Sequence, residues 1–181
     1  YMGWRRCAVV FALHCAMCNC VFALALSGQF FAEDCAVCCN SWNAYHNSVT
    51  QKLMEEVMDK LVLKHQNDTS LRDLGYIGVG LDDNWQACGK GYSGSFHSAD
   101  GTPLWNNATF PDPVSMVTKA HGLGLKAGWY MNNCDCHETG LNSDFAEKIY
   151  RRSVAMIVEQ EWDSVKLDGC GQFHNTTHWA S

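Results

Sequence analysis

From residue 41 to the C-terminus, short apolar runs, two of which stop at carboxylates, alternate with longer stretches of helical periodicity, and few architectures accept that order. Tyr76-Ile77-Gly78-Val79-Gly80-Leu81 is too short for a helix and is bounded by Asp82-Asp83, which predicts a buried strand. Leu125 to Tyr130 reads the same way, and Ser164-Val165-Lys166-Leu167 leads into Asp168 and a glycine-flanked turn. Three amphipathic segments fill the intervals. Ser48 and Gln51 resemble a capping box, after which Leu53, Met54, Val57, Met58, Leu61 and Val62 recur at helical spacing, predicting a helix that runs to about Gln66. Asp112-Pro113 supplies an N-cap and a first helical residue for a helix that stops at Gly122. Ser143-Asp144 opens a third, with Phe145, Ile149, Met156 and Ile157 on one side. Strand and helix alternating in this way predict an α/β domain built on a parallel sheet.

In such folds the chemistry gathers beyond the carboxyl ends of the strands, where loops from several strands meet. Asp82, Asp83, Tyr130 and Asp168 all sit at strand ends. Lys166 and Asp168 are two apart, so on a strand they project from one side, and an ammonium there favours the ionised carboxylate that a nucleophile requires. The plainer alternative is that each strand-end aspartate caps the helix that follows. Composition narrows the ligand class. With 13 basic against 19 acidic residues and a net charge of −6, the chain has no electropositive footprint for nucleic acid, and 47% hydrophobic residues exclude disorder over most of its length.

The strings SWNAYHN at 41 to 47, GLDDNW at 80 to 85, GLKAGWY at 124 to 130 and SVKLDGCG at 164 to 171 resemble the α-galactosidases of glycoside hydrolase family 27, the melibiase group, in order and spacing over residues 41 to 175. The resemblance implies a (β/α)8 TIM barrel followed by a β-sandwich, of which this chain would hold about the first four βα units. It implies removal of terminal α-D-galactose from an α-galactoside carbohydrate with retention of configuration, and no cofactor or metal. By the same resemblance Asp168 is the nucleophile, Asp82 and Asp83 hold sugar hydroxyls, Tyr130 and Lys166 line the sugar site, and Trp42 forms part of its wall. Retaining hydrolysis needs a second carboxyl as acid and base, which the family carries on a later strand. The chain as given is therefore expected to be inactive alone. The resemblance further implies that Cys170 bridges to a cysteine in the loop after the third strand, Cys134 or Cys136. Trp85, Trp129 and Trp162 read instead as core or wall residues.

One block departs from this pattern. Cys7, Cys15, Cys18, Cys20, Cys35, Cys38 and Cys39 crowd a segment that carries no charge between Arg6 and Glu33, whereas Cys88, Cys134, Cys136 and Cys170 are scattered and fit an oxidising compartment. Deleting residues 6 to 40 joins Tyr1-Met2-Gly3-Trp4-Arg5 to Ser41-Trp42-Asn43 and repairs the family's opening motif. The reading is therefore residues 1–5 as half of the first barrel strand, 6–40 as a non-family insert of the kind a translated intron leaves, and 41–181 as a partial catalytic domain. The competing readings of the block are a signal peptide from Met2, a bilayer span over residues 7 to 26, and a four-cysteine zinc pattern of Cys15, Cys18, Cys35 and Cys38. The last two define a membrane-tethered or metal-binding protein, the second alternative to an enzyme; the first is a carbohydrate-binding remnant without turnover. No stable membrane partner is expected on the main reading. Sequons at Asn67, Asn107 and Asn175 agree with a secreted or lysosome-like destination. His97, His121 and His174 show no metal-ligand spacing and read as structural or loop residues.

Overall fold

The computed structural model describes residues 38–65, 68–131, 136 and 143–167. The expectations for Asp168, Cys134, Cys170 and His174, for residues 1 to 37, and for the sequons at Asn67 and Asn175 lie outside these residues. Four strands form one parallel sheet in chain order: β1 (Cys38–Asn40), β2 (Gly78–Gly80), β3 (Lys126–Met131) and β4 (Ser164–Leu167). Consecutive parallel neighbours are what βα crossovers produce. The first described strand thus lies at the C-terminal end of the block read as an insert. A single helical turn, α1 (Trp42–Tyr45), follows it; the longer helices are α2 (Gln51–Val62), α3 (Pro113–Gly122) and α4 (Ser143–Glu159).

Register sorts the sheet into two faces. Asn40 pairs with Gly80, Gly80 with Gly128, Gly128 with Ser164 and Tyr130 with Lys166. These residues share one face, and the alternate set of Val79, Ala127, Trp129 and Val165 is buried on the other, in the core that takes Met54, Met58 and Leu61 of α2 and Met116, Val117 and Ala120 of α3. The helix-covered face is thus apolar, and the opposite face carries the polar groups. Gly128 is required at the centre of the polar face, because a Cβ there would lie 2.9 Å from Ser164 Oγ and 3.4 Å from Gly80 Cα.

Two sequence expectations are corrected. The N-cap of α2 is Thr50, whose Oγ1 accepts from the Leu53 N–H at 3.2 Å, and not Ser48, which ends a preceding 3₁₀ turn. Gln51 has different work: its Nε2 donates to Glu55 Oε1 and Ser115 Oγ, and its Oε1 accepts from Asp112 N, tying α2 to the start of α3. The same helix ends at Val62 and not near Gln66, since Leu63 turns extended and Lys64 is drawn to Asp73 at 2.6 Å and to the Asp68 carbonyl. The other helices match expectation, including the Asp112 cap that accepts from Ser115 N. Strands β2 and β3 shift by one or two residues at their ends, and β4 is as read.

The long connection from Asp82 to Asp112 folds back on the sheet. Trp85 packs against Trp105, Trp129 and Phe96 with centroids 4.5, 5.0 and 5.6 Å away, and Trp105 stacks on Trp162. Such pairs contribute about 0.5–1.5 kcal/mol each beyond buried area, and the tryptophans read as core are core. A turn at the far end of this connection docks on α4. There Asp100 accepts from Ser98 Oγ and from the backbone and hydroxyl of Thr102, which pull its pKa down to about 2. Its lowered pKa makes the turn's contribution present above the ordinary aspartate value of about 4 and lost only as the pH falls through the folded value. Arg152 of α4 donates to Thr102 Oγ1 at 3.0 Å. Gly101, at φ +89°, comes so close to the helix that a Cβ would stand 2.5 Å from the Lys148 carbonyl carbon and 2.8 Å from Ile149 N. Gly101→Ala should therefore cost on the order of 2 kcal/mol and lower Tm by roughly 4–8 °C in a thermal melt, whereas Gly122→Ala, where a Cβ meets nothing within 4 Å, should leave Tm unchanged or slightly higher.

Candidate active site

The polar face ends in a row of three side chains. Beyond β2 the ladder continues for one residue, with Leu81 N donating to Gly128 O at 2.8 Å, and this sets Asp82 level with Tyr130 and Lys166. Lys166 Nζ meets Asp82 Oδ2 at 2.7 Å and lies 5.2 Å from the centroid of the Tyr130 ring. The Asp82 side chain is 4% exposed and that of Lys166 22%. Such a pair needs further hydrogen bonds to offset its lost hydration. They are present: Asp82 Oδ1 accepts from Asp83 N at 2.9 Å, and the phenol ring offers a cation–π contact to the ammonium. Tyr130 is fully buried, and its carbonyl accepts from Trp85 Nε1 at 3.1 Å, which locks the end of β3.

Asp83 lies beside this row, also buried. Its Oδ1 accepts from Asn84 N at 2.8 Å and Gln86 Nε2 at 2.6 Å. Trp42 begins α1 immediately after β1, half-buried, with its N–H on Asn40 Oδ1 and its ring edge-on to His46. The sequence missed Ser41, although it adjoins Trp42. Buried Ser41 bonds through its own N–H to Gly80 O and accepts from Asp82 N at 2.9 Å, thereby joining the end of β1 to the end of β2. Also missed were Gln86 and Asn84; a buried glutamine three residues after an aspartate has no sequence signature. Asp82, Tyr130 and Lys166 are thus brought together, with Asp83 adjacent and Trp42 one residue from the serine that holds Asp82. Carboxylates that accept and an ammonium that donates suit a polyhydroxylated ligand.

Cys136 forms a disulfide with Cys88, Cα atoms 5.3 Å apart, so it is not the partner of Cys170. This corrects the Cys136 alternative: the loop after β3 is tied through Cys136 to the connection after β2. His121 Nε2 contacts Asp163 Oδ2 at 2.8 Å, next to the start of β4 and away from the row. Among the described residues no cluster of His, Cys, Asp or Glu could hold a metal, and no helix is long and apolar enough to cross a membrane. Lys166→Met would strand the nearly buried Asp82 carboxylate and should cost about 2–4 kcal/mol in urea unfolding at pH 7.

No family model matches the chain. Its sequence is similar to α-galactosidase 3 of Arabidopsis thaliana, 30% identical over 107 residues that cover 56% of this chain and 22% of the relative. It is likewise similar to the α-N-acetylgalactosaminidase of Rattus norvegicus, 30% identical over 127 residues, covering 68% of this chain and 27% of the relative. The fold is similar to that of the Saccharomyces cerevisiae α-galactosidase crystallised with raffinose, with a TM-score of 0.53 and 18% identity over 73% of this chain and 26% of that one. The chain thus spans about a quarter of the length of these relatives. Through the segment it shares with them, the chain is similar in sequence to α-galactosidases and α-N-acetylgalactosaminidases.

Proposed function

We propose that the chain is the N-terminal part of the catalytic barrel of a retaining α-galactosidase, holding the first four of eight βα units. The observation that carries this reading is the row of Asp82, Tyr130 and Lys166 on one face at the carboxyl ends of parallel strands, joined to sequence similarity with galactosidases. In the proposed reaction Asp82, Asp83 and Lys166 hold hydroxyls of a terminal galactose, with Tyr130 and Trp42 lining the site. Asp168 attacks the anomeric carbon as the glycosidic bond breaks, and an acid/base carboxyl from outside residues 1–181 gives its proton to the departing oxygen. The same carboxyl then draws a proton from water, which displaces Asp168 and releases the sugar with net retention. Two carboxyls roughly 5–5.5 Å apart across the anomeric carbon define this chemistry.

Residues 6–40 are proposed as a non-family insert. Excision would place Tyr1 to Arg5 directly before Ser41, in the position from which Cys38–Asn40 now pairs with β2. A bridge between Cys134 and Cys170 and a secreted or lysosome-like destination complete the proposal; Asn107, the sequon asparagine among the described residues, is exposed.

Transcript reads across codons 5 to 42 should show a junction joining Arg5 to a serine; uniform coverage of the block would remove the intron reading. The spliced product, extended by its downstream sequence, should release a chromogenic aglycone from an α-galactoside. The chain as given should bind methyl α-galactoside without turnover. In the active form Asp168→Asn should lower kcat by 10³-fold or more, on the order expected when a nucleophile is lost, with KM little changed. Asp83→Asn should weaken both KM and kcat, because it holds hydroxyls in ground and transition states alike. A covalent sugar adduct on a residue other than Asp168, or inversion at the anomeric carbon, would overturn the mechanism.

A further inference from the structure

We propose that Gln86 is a positioning residue for sugar recognition, acting through Asp83: its amide fixes the orientation of that carboxylate and favours its ionised form. This rests on the galactoside reading above and deepens it. Three observations converge. Gln86 is buried, so its amide is held among fixed partners away from bulk water. Its two ends are used in opposite senses within one small ring: Nε2 donates to Asp83 Oδ1 at 2.6 Å, while Oε1 accepts from Asn84 N at 2.9 Å. The same Asn84 N–H also reaches Asp83 Oδ1, at 2.8 Å. An amide flip would put donor against donor and acceptor against acceptor, so only one orientation satisfies the ring. Finally, the backbone beneath Gln86 is pinned on both sides: it bridges antiparallel to Trp105, with Ala87 N donating to Leu104 O and Asn106 N to Trp85 O, each at 2.9 Å.

The chemical consequence concerns a short, buried side chain. A backbone N–H alone holds an aspartate loosely about its last torsion, where the energy well is broad. A second donor on the same oxygen restricts that torsion, and a donor to the ionised form stabilises it over the neutral acid. Asn84 adds an outer tether. It occupies the left-handed region at φ +77°, which asparagine tolerates, and its side chain Nδ2 donates to Asn47 O in the segment that follows Trp42. Asp83 and the Trp42 segment are therefore aligned through Asn84, and Gln86 adds a second donor that restrains Asp83 within that frame.

The test uses the 181-residue chain and two variants, Gln86→Met, which keeps side-chain length but loses the amide, and Gln86→Glu, which keeps the acceptor to Asn84 N and places a second carboxylate on Asp83. The Asp83 carboxyl carbon, assigned with Asp83→Asn, is titrated by ¹³C NMR, and methyl α-galactoside is titrated against the same samples. The other ionisable groups of the site, Asp82, Tyr130 and Lys166, are the same in all three proteins. The Asp83 midpoint is expected to rise by about one pH unit in Gln86→Met and further in Gln86→Glu, and affinity for methyl α-galactoside to fall about tenfold in each. An unchanged midpoint in both variants overturns the inference, as does lost affinity at an unchanged midpoint, which a merely structural glutamine would give. Should Gln86→Met fail to fold, the Gln86→Glu titration decides. A midpoint that shifts while the unaltered chain ignores methyl α-galactoside overturns the galactoside reading, and with it the recognition role of Gln86; this outcome is distinguishable from a failure of the Gln86–Asp83 coupling itself.

Discussion

The site depends on one long reach. Lys166 sits on β4 and Asp82 beyond β2, with β3 between them, so their backbones are two strand spacings apart, roughly 9–10 Å, and yet Nζ and Oδ2 meet at 2.7 Å. Only a side chain of lysine's length crosses that gap, and it does so over the ring of Tyr130. The surrounding features follow from this geometry. Gly128 keeps the sheet centre low beneath the crossing, Ser41 and Asp83 supply the hydrogen bonds around Asp82, and Trp85 braces the strand that carries the tyrosine. The pair links the three strands through their side chains as the ladder links them through their backbones.

What the sequence disclosed, and what it concealed, divides along sequence distance. The pairing of Tyr130 with Lys166 is set by the β3–β4 register, whereas the short apolar runs that end near them are local patterns legible in the sequence. The run ending in Asp82-Asp83 marked a strand end for the same reason. Helix α3 was legible from Asp112-Pro113 because a cap is chemistry within four residues. The start of α2 was misread because Ser48 and Thr50 are both competent caps, and the choice between them came from Gln51 being committed to Ser115 and Asp112, partners far along the chain. The Cys88–Cys136 bond and the roles of Ser41 and Gln86 were hidden likewise, since each depends on which loops the fold brings together.

The first strand shows how little sequence information an edge strand needs. Cys38–Asn40 pairs with β2 over three residues through backbone groups, and Asn40 Oδ1 receives the Trp42 N–H. Backbone pairing of this kind is indifferent to most side chains. The specific contacts at this junction are those of Ser41 with Gly80 and Asp82.

The docking of Gly101 against the backbone of Lys148 and Ile149 has a consequence for the order in which the molecule is made. The turn that carries Gly101 leaves the ribosome well before α4, so the connection from β2 emerges without the surface that receives its tip. Until α4 is synthesised and laid against it, the tip around Gly101 lacks its docking surface, while the segment bearing Asp82, Asp83 and Gln86 is already held by its pairing with Leu104 to Asn106. Vectorial folding therefore makes the helix between β3 and β4 a late clamp on a turn encoded far upstream, and a pause or truncation before that helix would leave an otherwise correctly begun sheet with that turn undocked.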